Sequence, residues 1–345
     1  MTHPHRLIID TDPGVDDALA LAWLLSQTHY PLEILGIGVT AGNTTAVQAA
    51  HNTLTLLHTL HRADIPVAIG ASSPRQYPLS QSSLLIHGPD GLWGASRPHA
   101  LDGCATDAAA FYRDLASANP GATLLTLGPL TNVATAVQQY PAAMQTLGRL
   151  VVLGGAKTKG SMTPVSEYNF WQDPHAAEIV LAAGLPITLI IRDAFTAFTV
   201  SDADLERMMA RETAVCHLLR QPLKRYTGLY TAVGGHAAAT IPDLAAALLA
   251  VDPALATSRP ALVKVITHDG LARGQTIIGY DLTERVTMIA PDEELGALAR
   301  RALQDPTFDF AAHLQAILAR EPANADVVTA VAADSMRRLF LETIL

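Results

Sequence analysis

Five runs rich in Leu, Ile and Val punctuate the first part of the chain: RLIID at 6–10, EILGIGV at 33–39, ATLLTL at 122–127, RLVVLGG at 149–155 and PITLIIR at 186–192. Each is continuously apolar rather than alternating, the pattern of a strand covered on both faces, as in a parallel sheet between helices. Apolar residues at helical spacing fill the stretches between and after them, over 16–27, 46–60, 106–118, 132–139, 174–183 and 202–219. This alternation predicts an α/β fold: an open, mostly parallel sheet flanked by helices. Further on, a helix is predicted over 239–251, strands at ALVKVIT and TIIGYDL, and a final helix over 326–345. The Ser-, Pro- and Gly-rich stretch 72–103 reads as one long loop, which a compact domain keeps mainly for function. There is no internal repeat, low-complexity tract or linker, so a single domain over 1–345 is expected.

Composition narrows the classes. With 345 residues, 49% hydrophobic and 16% charged, the chain can bury a large core. The 32 acidic and 23 basic residues leave a net charge of -9, which disfavours a nucleic-acid surface. Cys104 and Cys216 stand far apart without a CxxC spacing, so no disulfide framework or zinc site is expected, and a cytoplasmic setting is the simplest reading. The N-terminus lacks a signal-like apolar segment, and no run of eighteen apolar residues occurs, so neither secretion by such a signal nor a membrane span is expected.

The chemistry concentrates in DTDPGVDDA, where Asp10, Asp12, Asp16 and Asp17 follow a strand, turn at Pro13 and Gly14, and enter a helix. Ligands in open α/β sheets bind at such carboxyl ends of strands, which is where the active site is expected. Two of these acids could simply complement a helix dipole and one could serve the turn. A hard divalent cation, Ca²⁺ or Mg²⁺, accounts for more of the crowding because it needs several oxygen ligands. A phosphatase using an aspartyl nucleophile also places a DxD here, but DPG-DD does not fit that pattern.

DTDPGVDDALAL resembles the N-terminal signature of the nucleoside hydrolases, Ca²⁺-dependent enzymes that cleave the N-glycosidic bond of ribonucleosides. TAGNTT, HGPDGLWG, LGPLTNVA, VVLGGA and SEYNFWQDPHAA resemble later blocks of that family in the same order, so that the resemblance is strongest over 7–253, with 254–345 as the C-terminal part of the same domain. The resemblance implies a Rossmann-like sheet, a small nucleoside substrate, and a homodimer or homotetramer. It implies Asp12, Asp17, the carbonyl of Leu127 and Asp243 as Ca²⁺ ligands, Asp12 also as the base toward water, and Asp10 as a supporting acid. Asp16, Asn43, Ser161, Glu167 and Asn169 would face the ribose, and His87 the base. Physical chemistry agrees with such a cluster: Ca²⁺ orients and acidifies water, and carboxylates stabilise an oxocarbenium-like transition state.

Several of these residues also have plain structural readings. Thr240 and Asp243 in TIPD have capping-box spacing, Asn43 suits a turn, Asp173 suits a helix cap before Pro174, and Trp93 suits loop or core packing. Two positions depart from the family. Pro242 stands where many members have a histidine that protonates the leaving base, and proline carries no proton to give. His236, His87, Tyr226, Tyr230 and Trp93 are the candidates to replace it, His236 first; the alternative is a binder of nucleosides with impaired catalysis. Ser161 stands where the family commonly has an Asn that contacts the 5′-hydroxyl, which leaves room for a 5′-modified nucleoside.

Overall fold

The computed structural model describes residues 4–234 and 238–344. Eleven strands are present among them: β1 His5–Thr11, β2 Leu32–Val39, β3 Val67–Ile69, β4 Thr123–Thr126, β5 Arg149–Leu153, β6 Ile187–Ile190, β7 Thr199–Ser201, β8 Ala238–Thr240, β9 Ala256–Val265, β10 Thr276–Gly279 and β11 Ala325–Val331. Nine form one sheet in the order β10-β9-β11-β6-β5-β4-β1-β2-β3, and β7 and β8 make a separate antiparallel pair. From β11 to β3 every pairing is parallel; β9 and β10 add an antiparallel edge. This is the open, mostly parallel sheet with flanking helices that the apolar runs predict. Strand order reverses at β1, which lies between β2 and β4 and makes its carboxyl end a topological switch point.

Two helices shape the region above that switch point. The helix Val15–Leu25 leaves β1 and is buried from Val15 to Leu24, while Pro242–Val251 is buried from Asp243 to Val251. A helix apolar on all sides belongs inside a core, and these two pack on each other, with Ala245, Ala246 and Ala247 fully buried in the second. Trp23, Leu19 and Leu21 of the first helix are fully buried in the main core.

Three predicted elements differ. The helix over 202–219 is two helices, Asp202–Met209 and Ala214–Gly234, because the chain between them is exposed and polar and Thr213 accepts the Cys216 amide to begin again. The last helix is only Ala333–Ile344; the β-branched run before it forms β11, paired with β6 and β9. The helix over 239–251 begins at Pro242, after β8. The loop 72–103 holds one helical turn, Leu84–His87, which carries His87 toward β1. No helix among the described residues is long and apolar enough to cross a membrane.

Trp23→Ala is expected to lower the free energy of unfolding by about 3–5 kcal/mol, because the site is walled by packed neighbours and refills poorly. Urea denaturation measures it; a loss under about 1 kcal/mol would mean that the helix is not held as described.

Candidate functional site

The four acids of the opening motif are all buried. Asp17, in the first turn of the helix Val15–Leu25, accepts hydrogen bonds from Thr11 Oγ1 at 2.6 Å, the Gly14 amide at 3.0 Å and Asn43 Nδ2 at 3.0 Å. Asp12 accepts the Asn43 amide at 2.6 Å through one oxygen, and its other oxygen has no partner. Asp10 sits deeper, where Tyr112 Oη and Asn132 Nδ2 both donate to it. Asp16 accepts from Tyr226 Oη at 3.3 Å and keeps one oxygen unpartnered.

Asp12 has a built seat. A Cβ on Gly42 or on Gly128 would overlap its carboxylate, so the chain just past β2 and β4 must carry glycine there. Gly14 is equally constrained, since a Cβ there would come within 2.6 Å of His87 Nδ1 and 2.9 Å of Asn43 Nδ2.

Asp243 reaches the cluster from the first turn of the helix Pro242–Val251. Asp16, Asp17 and Asp243 offer oxygen atoms within 4.8 Å of one another. Asp12 is not one of that trio, although its charge is felt by Asp243. Burial pushes Asp12 and Asp243 well above the ordinary carboxylate value of 3.8, and the neighbouring carboxylates push further. Asp17 is raised for the same reasons. Burial takes Asp10 up to about 7, against the pull of its two donors. A hard cation bound among these groups would offset both costs. Orphaned buried oxygens on Asp12 and Asp16 and a trio of converging carboxylates fit such an ion.

Leu127 lies just past β4. Its carbonyl accepts Asn169 Nδ2 at 2.6 Å, and the same amide group donates to the Leu153 carbonyl at 3.1 Å. Asn169 thus ties together the ends of β4 and β5. Glu167 caps the helix Tyr168–Gln172 and accepts three backbone amides, from Gly155, Asn169 and Phe170; burial raises it to about 6. Ser161 Oγ accepts the Tyr168 amide at 3.1 Å. His87 is buried, its Nδ1 accepts the Val15 amide at 3.0 Å and lies 3.7 Å from Asp16, which assigns the proton of the neutral ring to Nε2.

A cavity of about 500 Å³ lies over the cluster. It is lined by Asp16, Asn43, His87, Leu127, Ser161, Glu167, Asn169 and Asp243, so it brings together residues predicted from widely separated motifs. Asp12 and Asp17 lie beneath it. His236 falls outside the described residues. Thr240 is no cap: it is in β8, the helix cap position is Ile241, and the Thr240 carbonyl accepts Tyr226 Oη. Asp173 does cap the following helix through Ala176, and Trp93 packs in its loop, with Nε1 donating to Ile86 and Arg225 over its ring. The sequence reading missed Tyr168, Arg192, Phe195 and Thr196, which also line the cavity. Arg192 ends the predicted strand PITLIIR, so the strand-end rule already pointed there.

A mostly parallel sheet with a buried carboxylate cluster at its switch point, beside a cavity with both apolar and polar walls, defines an α/β protein built to hold a small molecule against acids suited to a cation. The chain belongs to the family of inosine-uridine preferring nucleoside hydrolases, whose model matches residues 7–338, and it is accordingly a nucleoside hydrolase. It is 32% identical over 288 residues to the pyrimidine-specific ribonucleoside hydrolase RihA of Shewanella sp. (strain MR-7), covering 81% of this chain and 89% of that one. Uridine nucleosidase 1 of Arabidopsis thaliana is 32% identical over 280 residues, 80% of this chain and 82% of that one. Among solved structures, the plant nucleoside hydrolase PpNRh1 superposes with a TM-score of 0.82 at 26% identity over 99% of both chains. The purine-preferring ribonucleoside hydrolase from Gardnerella vaginalis shares the fold, with a TM-score of 0.81 at 24% identity over 98% of both chains.

Two outcomes are expected of this geometry. Gly128→Ala, which drives a methyl group into the Asp12 carboxylate, is expected to weaken binding of a divalent cation by about tenfold or more in calorimetric titration; unchanged affinity would separate Asp12 from the cation. The raised carboxylates make the metal-free native state hold protons that the unfolded chain has released, so their contribution is present at low pH and lost as pH rises through the raised native values. A bound cation removes that loss. The gap in melting temperature between cation-loaded and chelated protein should therefore widen as pH rises above the ordinary carboxylate value of 3.8, and a constant gap would contradict it.

Proposed function

We propose that the protein catalyses Ca²⁺-dependent hydrolysis of a ribonucleoside to free base and ribose, by direct attack of water on C1′. The observation that carries this reading is the buried convergence of Asp16, Asp17 and Asp243, with the charge of buried Asp12 felt by Asp243, at a cavity of about 500 Å³ that Asp16 and Asp243 line. Asp12, Asp17, the Leu127 carbonyl and Asp243 would hold the ion, and an all-oxygen donor set favours Ca²⁺ over softer metals. When bound, Ca²⁺ supplies Lewis acidity that orients and acidifies water.

Asp12, with one oxygen unpartnered, takes the proton from the attacking water. Asp16 accepts a ribose hydroxyl, and Asn43, Ser161, Glu167 and Asn169 bound the rest of the sugar site. The buried carboxylates stabilise the positive charge that develops at C1′ as the C–N bond breaks. The bonding pair leaves on the base nitrogen, which needs a proton. His87 offers the leaving base a hydrogen bond from Nε2–H of its neutral ring in the cavity wall, and would supply the proton itself only as an imidazolium that gives up the Val15 contact; His236 is the other candidate donor, and Pro242 offers none. Family membership favours this enzyme over the impaired binder. In the same reading the enzyme is cytoplasmic, acts without nucleic acid, and assembles as a homodimer or homotetramer. The two relatives at 32% identity are named for pyrimidine and uridine, so uridine is the first substrate to test.

Purified protein with uridine, cytidine, inosine and guanosine should release reducing sugar with Ca²⁺ and lose that activity with chelator. Asp12→Asn should lower kcat by about 10²–10⁴-fold. His87→Gln and His236→Gln, compared on the same substrate, identify the acid by which one loses kcat with little change in KM. No ribose from any nucleoside would sink the proposal.

A further inference from the structure

Arg192 is the only Arg or Lys among the residues lining the cavity, in a wall that also holds Asp16, Glu167 and Asp243. It stands just beyond the carboxyl end of β6, where its backbone amide donates to the Gly155 carbonyl at 2.9 Å. Among the described residues its guanidinium has no hydrogen bond and no ion pair. The nearby acids are engaged elsewhere. Glu167 accepts three backbone amides, from Gly155, Asn169 and Phe170. Asp193 is taken by the amides of Lys157 and Thr158 and by the Thr158 hydroxyl.

Other partly buried arginines of this chain have partners: Arg149 donates to Ala250, Arg285 to Glu321, and Arg273 lies against the rings of Tyr77 and Trp171. Arg192 is half-buried and has none. Its charge is felt by Glu167 and by Tyr230, both of which line the cavity. A neutral nucleoside offers a guanidinium only hydroxyl and carbonyl acceptors, whereas a phosphate or carboxylate matches its fork with two parallel, charge-assisted hydrogen bonds. An anion would otherwise be repelled by the surrounding acids, and a guanidinium in this wall offsets that repulsion.

We propose that Arg192 is a specificity-determining residue that pairs with an anionic substituent of the substrate, a phosphate or carboxylate carried on the 5′ carbon of the ribose or on the base. The proposal rests on the nucleoside-hydrolase reading of the cavity but extends it to a charged substrate class. Binding of fragments tests it without turnover, so a failure here is distinct from a failure to release ribose.

With Ca²⁺ present, calorimetry compares ribose 5-phosphate with ribose, and orotate with uracil. At least one anionic member should bind about tenfold or more tightly than its neutral counterpart, the increment expected of a charge-assisted pair. Whichever pair responds places the anion on the sugar or on the base. Arg192→Met should bring that ratio to within about twofold, and Arg192→Lys, which keeps the charge but not the fork, should retain part of it. Arg192→Gln is measured beside them, so that the ratio is read on a variant whose melting curve matches wild type. Equal binding within both pairs in the wild type, or a preference that survives in the Met and Gln variants, overturns the proposal.

Discussion

Five carboxylates buried together, Asp10, Asp12, Asp16, Asp17 and Asp243, are the constraint around which this fold is arranged. Two helices that lie wholly inside the core, Val15–Leu25 and Pro242–Val251, meet at their N-terminal turns and contribute Asp16, Asp17 and Asp243 to one spot. Each helix end favours negative charge, worth about 0.3–1 kcal/mol per acid, which is small beside the cost of desolvating the group. Backbone dipoles therefore soften the problem without solving it. The direct donors solve more: Thr11, Gly14 and Asn43 on Asp17, and Tyr112 with Asn132 on Asp10. What they leave unsatisfied is one oxygen each on Asp10, Asp12 and Asp16.

The surrounding residues divide between holding this arrangement and using it. Asn43 bonds Asp12 through its amide and Asp17 through its side chain, so the end of β2 is latched to both acids. Asn169 does the same for the ends of β4 and β5 through the carbonyls of Leu127 and Leu153. These amides are partly spent on protein contacts, and what remains for a ligand is the other half of each group. Glu167 is more fully spent, and its weight in the site is to fix the loop after β5.

The sheet and the acid cluster were legible because their signals are local. A continuous apolar run ending in Asp, a Pro-Gly turn and two acids at a helix start occupy one short window, and strand-end geometry does the rest. Family resemblance supplied Leu127 and Asp243, which no local pattern marks: a carbonyl ligand has no side-chain signature, and Asp243 alone looks like part of a cap. That cap does not form, because Thr240 is drawn into β8 and its carbonyl is claimed by Tyr226 from the long helix before it. Arg192 and Tyr168 went unread because their environment is created by loops that come together only in three dimensions. The strand inside 326–345 escapes because helical spacing in a short apolar run is ambiguous with strand, and the break in the 202–219 helix because it falls at a short exposed stretch that leaves the apolar spacing on either side intact.

The placement of Asp243 also orders events in time. Its partners Asp12, Asp16 and Asp17 belong to the first crossover of the sheet, while Asp243 arrives on a helix that comes after β8, when most of the parallel strands have been laid down. Contacts so distant in sequence close late, since the entropy of the intervening chain must be lost first. The acids are enclosed together only where the helix Pro242–Val251 is docked on the helix Val15–Leu25, so a cation held by all of them requires these two distant stretches of chain to be in place at once.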